Sequence, residues 1–195
     1  MRAVFGEELE KLMAADENIV IIDADLARAD GTLFLRERYP RRALDVGVAE
    51  QNMAGVAAGL SSYGFIPFIT SFTAFASRRM ADQVAISISY ARQNVKIVGT
   101  DPGVAAEYNG GTHMSMEDVG IMRAIPGITI VEPVDAVQLR AAMPVLLAHV
   151  GPVYIRLFRK EIQPVFEEGY VFELGKADIL RRGTDVTILA TGILL

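Results

Sequence analysis

Apolar positions along the chain follow two different patterns. Short continuous apolar runs, as at residues 19–22, are typical of strands that are buried on both faces. Such runs predict six strands, at residues 19–22, 43–46, 65–70, 95–100, 128–131 and 153–157. Stretches with helical spacing predict a first helix that ends near Asp16 and further helices at residues 51–62, 72–92, 116–124 and 136–149. This alternation predicts a three-layer α/β/α domain around a mostly parallel sheet.

The pattern of alternating strands and helices ends after Phe158. Residues 159–185 begin with a charged, proline-containing stretch without a helical period, and we interpret them as a linker. Residues 186–191 read as a strand that opens a second α/β domain. We therefore divide the chain into a domain at residues 1–158, the linker at 159–185 and the first strand of a second domain, truncated, at 186–195.

Composition argues against several classes of function. A net charge of -5, without a compensating basic stripe, argues against nucleic-acid binding, and we interpret arginine pairs such as Arg78-Arg79 as solvated faces. No apolar run approaches the roughly 20 residues that cross a bilayer, and the acidic N-terminus is unlike a signal peptide. The chain contains no cysteine. We expect a soluble, cytoplasmic protein that binds neither nucleic acid nor membranes.

Polar residues follow several of the predicted strands. Ligands gather at the carboxyl ends of parallel strands, so Asp25, Glu50 and Asp101 are expected at one edge of the sheet. Glu50 stands where a helix begins, and the helix dipole favours a carboxylate there. On spacing alone, each carboxylate could instead only start or cap a nearby helix.

Three motifs carry a more specific signal. They are DVGVAEQN at residues 45–52, the aromatic cluster that begins at Phe72, and GGTHMSMED at residues 110–118. In this order, across residues 3–159, they resemble the pyrimidine-binding domain of transketolases, which use thiamine diphosphate. Such enzymes hold the diphosphate and its metal with a Gly-Asp-Gly stretch, which this sequence lacks. The resemblance therefore implies one half of a split transketolase, in which a separate partner polypeptide holds the diphosphate with magnesium or calcium.

The resemblance also implies roles for five residues around the cofactor. Glu50 is the carboxylate on the pyrimidine ring, where it favours the tautomer that deprotonates the thiazolium. Phe72 and Phe75 pack on the pyrimidine, although their spacing equally suits a plain core stripe. Arg78 stands where many transketolases carry a tyrosine, and Asp25 matches an aspartate near the thiazolium ring.

The resemblance assigns four further residues to positions that contact the substrate, and a fifth, Arg28, lies next to such a position. His113 resembles a catalytic histidine of the substrate channel, and Arg159 matches an arginine that binds the substrate phosphate. Asp101 and Asn109 replace the histidine and aspartate of sugar-phosphate transketolases, and Arg28 lies near a serine position now occupied by alanine. These departures predict an acceptor that is shorter, differently placed, or carries an anion other than the usual terminal phosphate.

The function implied is transfer of a two-carbon ketol unit between sugar or sugar-phosphate substrates by a complex with the separate subunit. Self-association is also expected, with the small-residue helix after Glu50 packed against a second copy in a homodimer. The alternatives are an enzyme like 1-deoxyxylulose-5-phosphate synthase and, less well matched, a 2-oxoacid dehydrogenase β-subunit. A non-catalytic regulatory or assembly subunit is an alternative from a different class.

Overall fold

A six-stranded parallel sheet forms the centre of the computed structural model, which describes residues 1–160 and 162–195. The strands are β1 (Ile19–Asp23), β2 (Ala43–Asp45), β3 (Ile66–Phe72), β4 (Lys96–Thr100), β5 (Thr129–Val131) and β6 (Val153–Leu157). Their order is β2-β1-β3-β4-β6-β5, and all neighbours are parallel. All six predicted strands are present, and the predicted three-layer α/β/α fold is confirmed.

Helices connect the strands. The α-helices are α1 (Arg2–Ala15), α2 (Ala27–Asp30), α3 (Leu33–Arg38), α4 (Glu50–Ser62), α5 (Ala81–Gln83), α6 (Asp118–Ala124) and α7 (Ala136–Ala148). Two π-helical segments, Phe75–Arg79 and Val84–Tyr90, flank α5, and 3₁₀-helices occupy Gly103–Asn109 and Gly192–Leu194. In the part of the chain that the structure describes, no helix is long and apolar enough to cross a membrane.

The core consists of two clusters, one on each face of the sheet. Along β3, Phe68 points to the cluster that includes α1 and α7, and the next residue, Ile69, points to the cluster beneath α4. This is the period of two that a strand imposes. On α4, the buried positions include Ala54 and Ala57, whose small side chains let the helix lie close to the sheet. The start of α4 is thereby fixed at the carboxyl edge.

The prediction of one continuous helix at residues 72–92 is wrong. Phe72 still belongs to β3, where it pairs with Thr100 of β4, and the remainder is divided into π-helical, α-helical and π-helical segments. The short helices α2 and α3 were not predicted, because four and six residues are too few to display a period.

The expected strand at residues 186–191 is not formed. These residues are exposed and irregular, and a strand requires a neighbour to bond its N–H and C=O groups. The described residues between 159 and 191 contain neither helix nor strand, and Ile162, Phe172 and Leu174 pack against the core cluster of α1 and α7. Glu161, within the predicted linker, lies outside the described residues. The division into domains stays a prediction.

Candidate active site at the carboxyl edge of the sheet

Glu50 is the first residue of α4 and is 1% exposed. A turn places it there: Gly47 has a φ of 71°, and its N–H donates to Oδ1 of Asp45 at 2.8 Å. Both carboxylate oxygens of Glu50 accept from Nη1 of Arg79 at 2.8 Å. A buried carboxylate without such a partner would cost several kcal/mol. The buried charge of Glu50, at the N-terminus of α4, is therefore neutralised by Arg79.

Phe72, Phe75 and His113 form one aromatic cluster. The two phenylalanine rings have centroids 6.1 Å apart, and the imidazole of His113 lies edge-on to both, at 5.7 and 5.2 Å. The glycine-rich loop after β4 carries His113, whose Nδ1 lies 2.9 Å from Oγ1 of Thr112. Three of the residues predicted from the sequence are thus brought together.

Arg79 joins this cluster to Glu50, and the sequence reasoning missed it. Its guanidinium carbon lies 4.1 Å from the centroid of Phe75, while Nη1 bonds Glu50. The interpretation of Arg78-Arg79 as a solvated face is incomplete for Arg79, whose side chain is 43% exposed but pairs with the buried Glu50. Arg78 does remain at the surface, where Nε lies 2.9 Å from Oε1 of Glu117, although it borders the same cleft as Phe75. The predicted cofactor contact of Arg78 stays a prediction.

Asp101 and Arg159 form a second ion pair beside the same rings. Asp101 follows β4 with a φ of 55° and is 1% exposed, and its Oδ2 is paired with Nη2 of Arg159. The guanidinium of Arg159 lies 5.5 Å from the ring centroid of Phe72. Burial raises the pKa of Asp101 above its usual value, and the charge of Arg159 opposes that rise. Asp101 thus holds Arg159 in place, and a direct contact with substrate stays a prediction.

A cavity of about 550 Å³ adjoins Arg159. Asn109, which is exposed, and Glu107 line it together with Lys160, whose Nζ donates to Oε1 of Glu107 at 2.7 Å. Arg156 also lines it and is itself paired with two carboxylates. The cations named in this cavity are therefore already neutralised by carboxylates of the chain.

Asp25 and Arg28 are not brought into contact with the cluster. Both are exposed, and among residues 1–160 and 162–195 neither side chain forms a hydrogen bond or ion pair. Asp25 has a φ of 63°, and its N–H donates to Oδ1 of Asp45 at 3.0 Å. The backbone is thus fixed at Asp25, and its proposed role beside the cofactor stays untested.

Asp45 organises the two loops that carry Asp25 and Gly47. It accepts from both N–H groups, and Nη2 of Arg36 lies 2.9 Å from its other oxygen and 2.7 Å from Asp23. Desolvation raises the pKa of Asp45, but the two backbone N–H groups and the charge of Arg36 outweigh it and hold this pKa below its usual value. Sequence reasoning missed Arg36, which lies on the unpredicted helix α3.

A buried network fixes the other side of the site. Asp118, at the end of the motif that carries His113, accepts from the hydroxyl of Tyr154 at 3.0 Å and from Nε of Arg156 at 2.7 Å. Arg156 also donates to Glu132 after β5. Burial, followed by the charge of Asp118, raises the pKa of Tyr154 well above its usual value. The network ties the His113 loop to β5 and β6.

Asp30, at the end of α2, is buried against side chains from the neighbouring strands β3 and β4. It is fully buried, and the hydroxyls of Thr70 and Thr100 donate to its two oxygens at 2.8 and 2.7 Å. Desolvation raises the pKa of Asp30 to about 7, although the two hydroxyls oppose it. This is a strongly perturbed acid directly under the loops of the site.

The residues present fit one part of thiamine diphosphate. A buried carboxylate and two phenylalanine rings suit the hydrogen-bonding edge and the flat face of a basic heteroaromatic ring. No cluster of three acidic or histidine side chains that could hold a metal occurs within the described residues. The chain is therefore suited to the pyrimidine end of the cofactor.

This geometry defines an α/β domain that presents a buried carboxylate and an aromatic cluster at the carboxyl edge of its sheet. Residues 1–164 match the family described as the transketolase pyrimidine-binding domain, and the chain belongs to that family. The predicted family is confirmed.

Individual relatives agree with this assignment. The 6-deoxy-6-sulfo-D-fructose transketolase subunit SqwH of Clostridium sp. (strain MSTE9) is 58% identical over 195 residues, which are 100% of this chain and 61% of that protein. One subunit of the apulose-4-phosphate transketolase of Phocaeicola vulgatus is 38% identical, over 98% of this chain and 62% of that protein. A solved split-gene transketolase, an inactive beta4 tetramer, superposes with a TM-score of 0.87 at 40% identity, over 99% of this chain and 62% of that one. This chain spans about three fifths of the length of these relatives.

Proposed function

We propose that the chain is the pyrimidine-binding subunit of a thiamine diphosphate-dependent transketolase that transfers a two-carbon ketol unit between sugars. The observation that carries this proposal is the buried carboxylate of Glu50, which is linked through Arg79 to the aromatic cluster of Phe72, Phe75 and His113. When bound, thiamine diphosphate supplies the electron sink for breaking and forming carbon–carbon bonds. Both relatives compared above by sequence are named as transketolase subunits.

The residues of this chain then have separate tasks. Glu50 hydrogen-bonds a ring nitrogen and holds a proton there, a task for which a buried carboxylate at a helix N-terminus is suited. Phe72 and Phe75 orient the ring by contact with its faces. His113 is half-buried on those two rings, so its imidazole can hydrogen-bond a substrate oxygen close to the reacting carbons.

A separate subunit is proposed to hold the diphosphate and a magnesium or calcium ion. The sequence lacks the Gly-Asp-Gly stretch that performs this task in thiamine enzymes, and the relatives are described as subunits or as a split gene. Association into at least a homodimer is also proposed. The residues that support it are Gly55 and Gly59, which lie exposed on α4, with no neighbouring atom within 4 Å of a Cβ built at either position.

The substrate is proposed to be a sugar whose terminal anion is a sulfonate. The 58% identical relative is named for 6-deoxy-6-sulfo-D-fructose. A phosphate ester carries a charge of about -1.5 to -2 at neutral pH, whereas a sulfonate carries a single charge. Of the cations that line the cavity, Arg159 is paired with Asp101 and Lys160 with Glu107, so little uncompensated positive charge remains for a dianion. Repulsion by these carboxylates would grow as water is excluded.

Reconstitution of the two-subunit complex tests the proposal. Both subunits are purified separately and mixed with thiamine diphosphate and magnesium, and transfer is measured from 6-deoxy-6-sulfo-D-fructose and from fructose 6-phosphate to one aldose acceptor. Turnover is expected only with both subunits and with higher kcat/KM for the sulfonate. A complex that binds the cofactor but transfers no ketol unit would support the non-catalytic assembly role instead. A clear preference for the phosphate would refute only the choice of substrate.

A further inference from the structure

Arg79 contacts the two groups that the cofactor ring would contact, the carboxylate of Glu50 and the ring of Phe75. Its Nη1 satisfies the two oxygens of Glu50 at 2.8 Å, and its guanidinium carbon lies 4.1 Å from the centroid of Phe75. A guanidinium is a planar group with N–H donors in its plane, and it stacks on aromatic rings. An aminopyrimidine is likewise planar, carries N–H donors and presents flat faces. The two groups therefore compete for the same carboxylate and the same ring.

The burial of Glu50 makes this competition strong. Its side chain is 1% exposed while the pair is formed, and among the described residues Arg79 is its sole side-chain partner. The side chain of Arg79 is 43% exposed and therefore has solvent available when it leaves. A cleft of about 300 Å³, bordered by Ala74, Phe75, Arg78, Arg79 and Thr112, lies at the same place.

We propose that Arg79 is an internal competitor of the pyrimidine ring of thiamine diphosphate and thereby sets the affinity of the chain for its cofactor. Arg79 neutralises Glu50 while the cofactor is absent, and it leaves both Glu50 and Phe75 when the ring enters. This inference rests on the proposed function. The apparent affinity is the intrinsic affinity multiplied by the fraction of molecules in which Arg79 has vacated the site, so removing Arg79 strengthens binding.

The test uses the reconstituted two-subunit complex at saturating magnesium. Thiamine diphosphate affinity is measured by calorimetry for the parent, Arg79→Gln and Arg79→Ala, and thermal midpoints are recorded with and without cofactor. Arg38→Ala is the matched control, because Arg38 also pairs with a carboxylate, that of Glu10, and lies over a ring, that of Phe34 at 5.4 Å. Since that pair includes neither Glu50 nor Phe75, its loss should not change the affinity.

Arg79→Ala is expected to bind the cofactor about tenfold more tightly than the parent. Arg79→Gln can still donate a hydrogen bond to Glu50 but has no charge, so its affinity should lie between those of the parent and Arg79→Ala. If Arg79→Ala does not fold, the comparison of Arg79→Gln with the parent tests the inference. The variants should melt lower than the parent without cofactor and close to it with cofactor. Affinity in both variants equal to or weaker than that of the parent would overturn the inference and leave the proposed function standing. Failure of the parent and both variants to bind would overturn both.

Discussion

Replacing Asp30 with asparagine is expected to stabilise the fold above pH 7 and to leave its stability unchanged near pH 4. The carboxyl is fully buried, and burial raises its pKa from 3.8 to about 7. Asparagine resembles the protonated acid, because it presents one donor and one acceptor to the hydroxyls of Thr70 and Thr100, which can rotate to suit. The substitution therefore removes the cost of ionisation while keeping the shape.

The magnitude follows from proton linkage. Between pH 3.8 and about 7, folded Asp30 holds a proton that the unfolded chain has already released, so its contribution to stability falls as pH rises through this window and is constant above it. Each pH unit in the window corresponds to about 1.4 kcal/mol, so the ionised carboxyl at pH 8 costs the fold about 4 kcal/mol. Asparagine should recover a large part of that amount.

Urea unfolding of the parent and Asp30→Asn at pH 4.5 and pH 8, at one protein concentration, measures the effect. The difference in free energy of unfolding between the two proteins should widen with pH by roughly 2–4 kcal/mol, and taking the difference cancels the titration of other groups. Asp25→Asn, which removes an exposed carboxylate just before α2, the helix that ends at Asp30, should show no such widening. A gap for Asp30→Asn that is equal at both pH values would refute the reasoning.

Three further substitutions test the site. Glu50→Gln in the complete complex should slow deuterium exchange at the thiazolium carbon of the cofactor by roughly 10²–10⁴-fold with the same melting temperature, and equal exchange rates would remove Glu50 from the mechanism. Asp101→Asn removes the charge that pairs with Arg159, and asparagine tolerates the φ of 55° at this position. The value of kcat/KM for a sugar phosphate, divided by that for a sugar sulfonate, should therefore rise about tenfold. An unchanged ratio would contradict the role given to this pair. Asp118→Asn breaks a buried pair with Arg156 and should lower the free energy of unfolding by about 3–5 kcal/mol in urea titrations, whereas a change below about 1 kcal/mol would show that the network is not required.

Periodicity predicted the sheet because each strand is a continuous apolar run. The run at residues 19–22 needs no partner sequence to be recognised, since burial on both faces of a parallel sheet requires it. The positions of Glu50, Phe72 and His113 followed from motifs that resemble those of a known family. In the structure, Phe72 and His113 meet directly, and Glu50 is linked to their cluster through Arg79.

Pairings between distant elements could not be predicted in this way. Glu50 and Arg79 are separated by 29 residues, and Asp118 and Arg156 by 38. In the sequence Arg79 follows another arginine and resembles a solvated surface residue, and only its ion pair with the buried Glu50 distinguishes it from the similarly exposed Arg78. No local pattern marks an arginine that reaches inward, because its charge partner is supplied by a different element of the fold.

An arginine–carboxylate ion pair lies beside each ring of the Phe72–Phe75 pair. On one side, Arg79 lies over Phe75 and neutralises a carboxylate that is 1% exposed, and on the other, Arg159 lies over Phe72 and neutralises Asp101, which is also 1% exposed. In each case an arginine with a partly exposed side chain, 43% for Arg79 and 34% for Arg159, connects a buried charge to the surface of the site. Removing either arginine leaves a buried carboxylate unpaired, so each is required for stability before any ligand binds. Asp101→Asn removes the buried charge itself and keeps Arg159, so the predicted shift in substrate preference is expected without an unpaired buried carboxylate, whereas loss of Arg159 would leave Asp101 uncompensated.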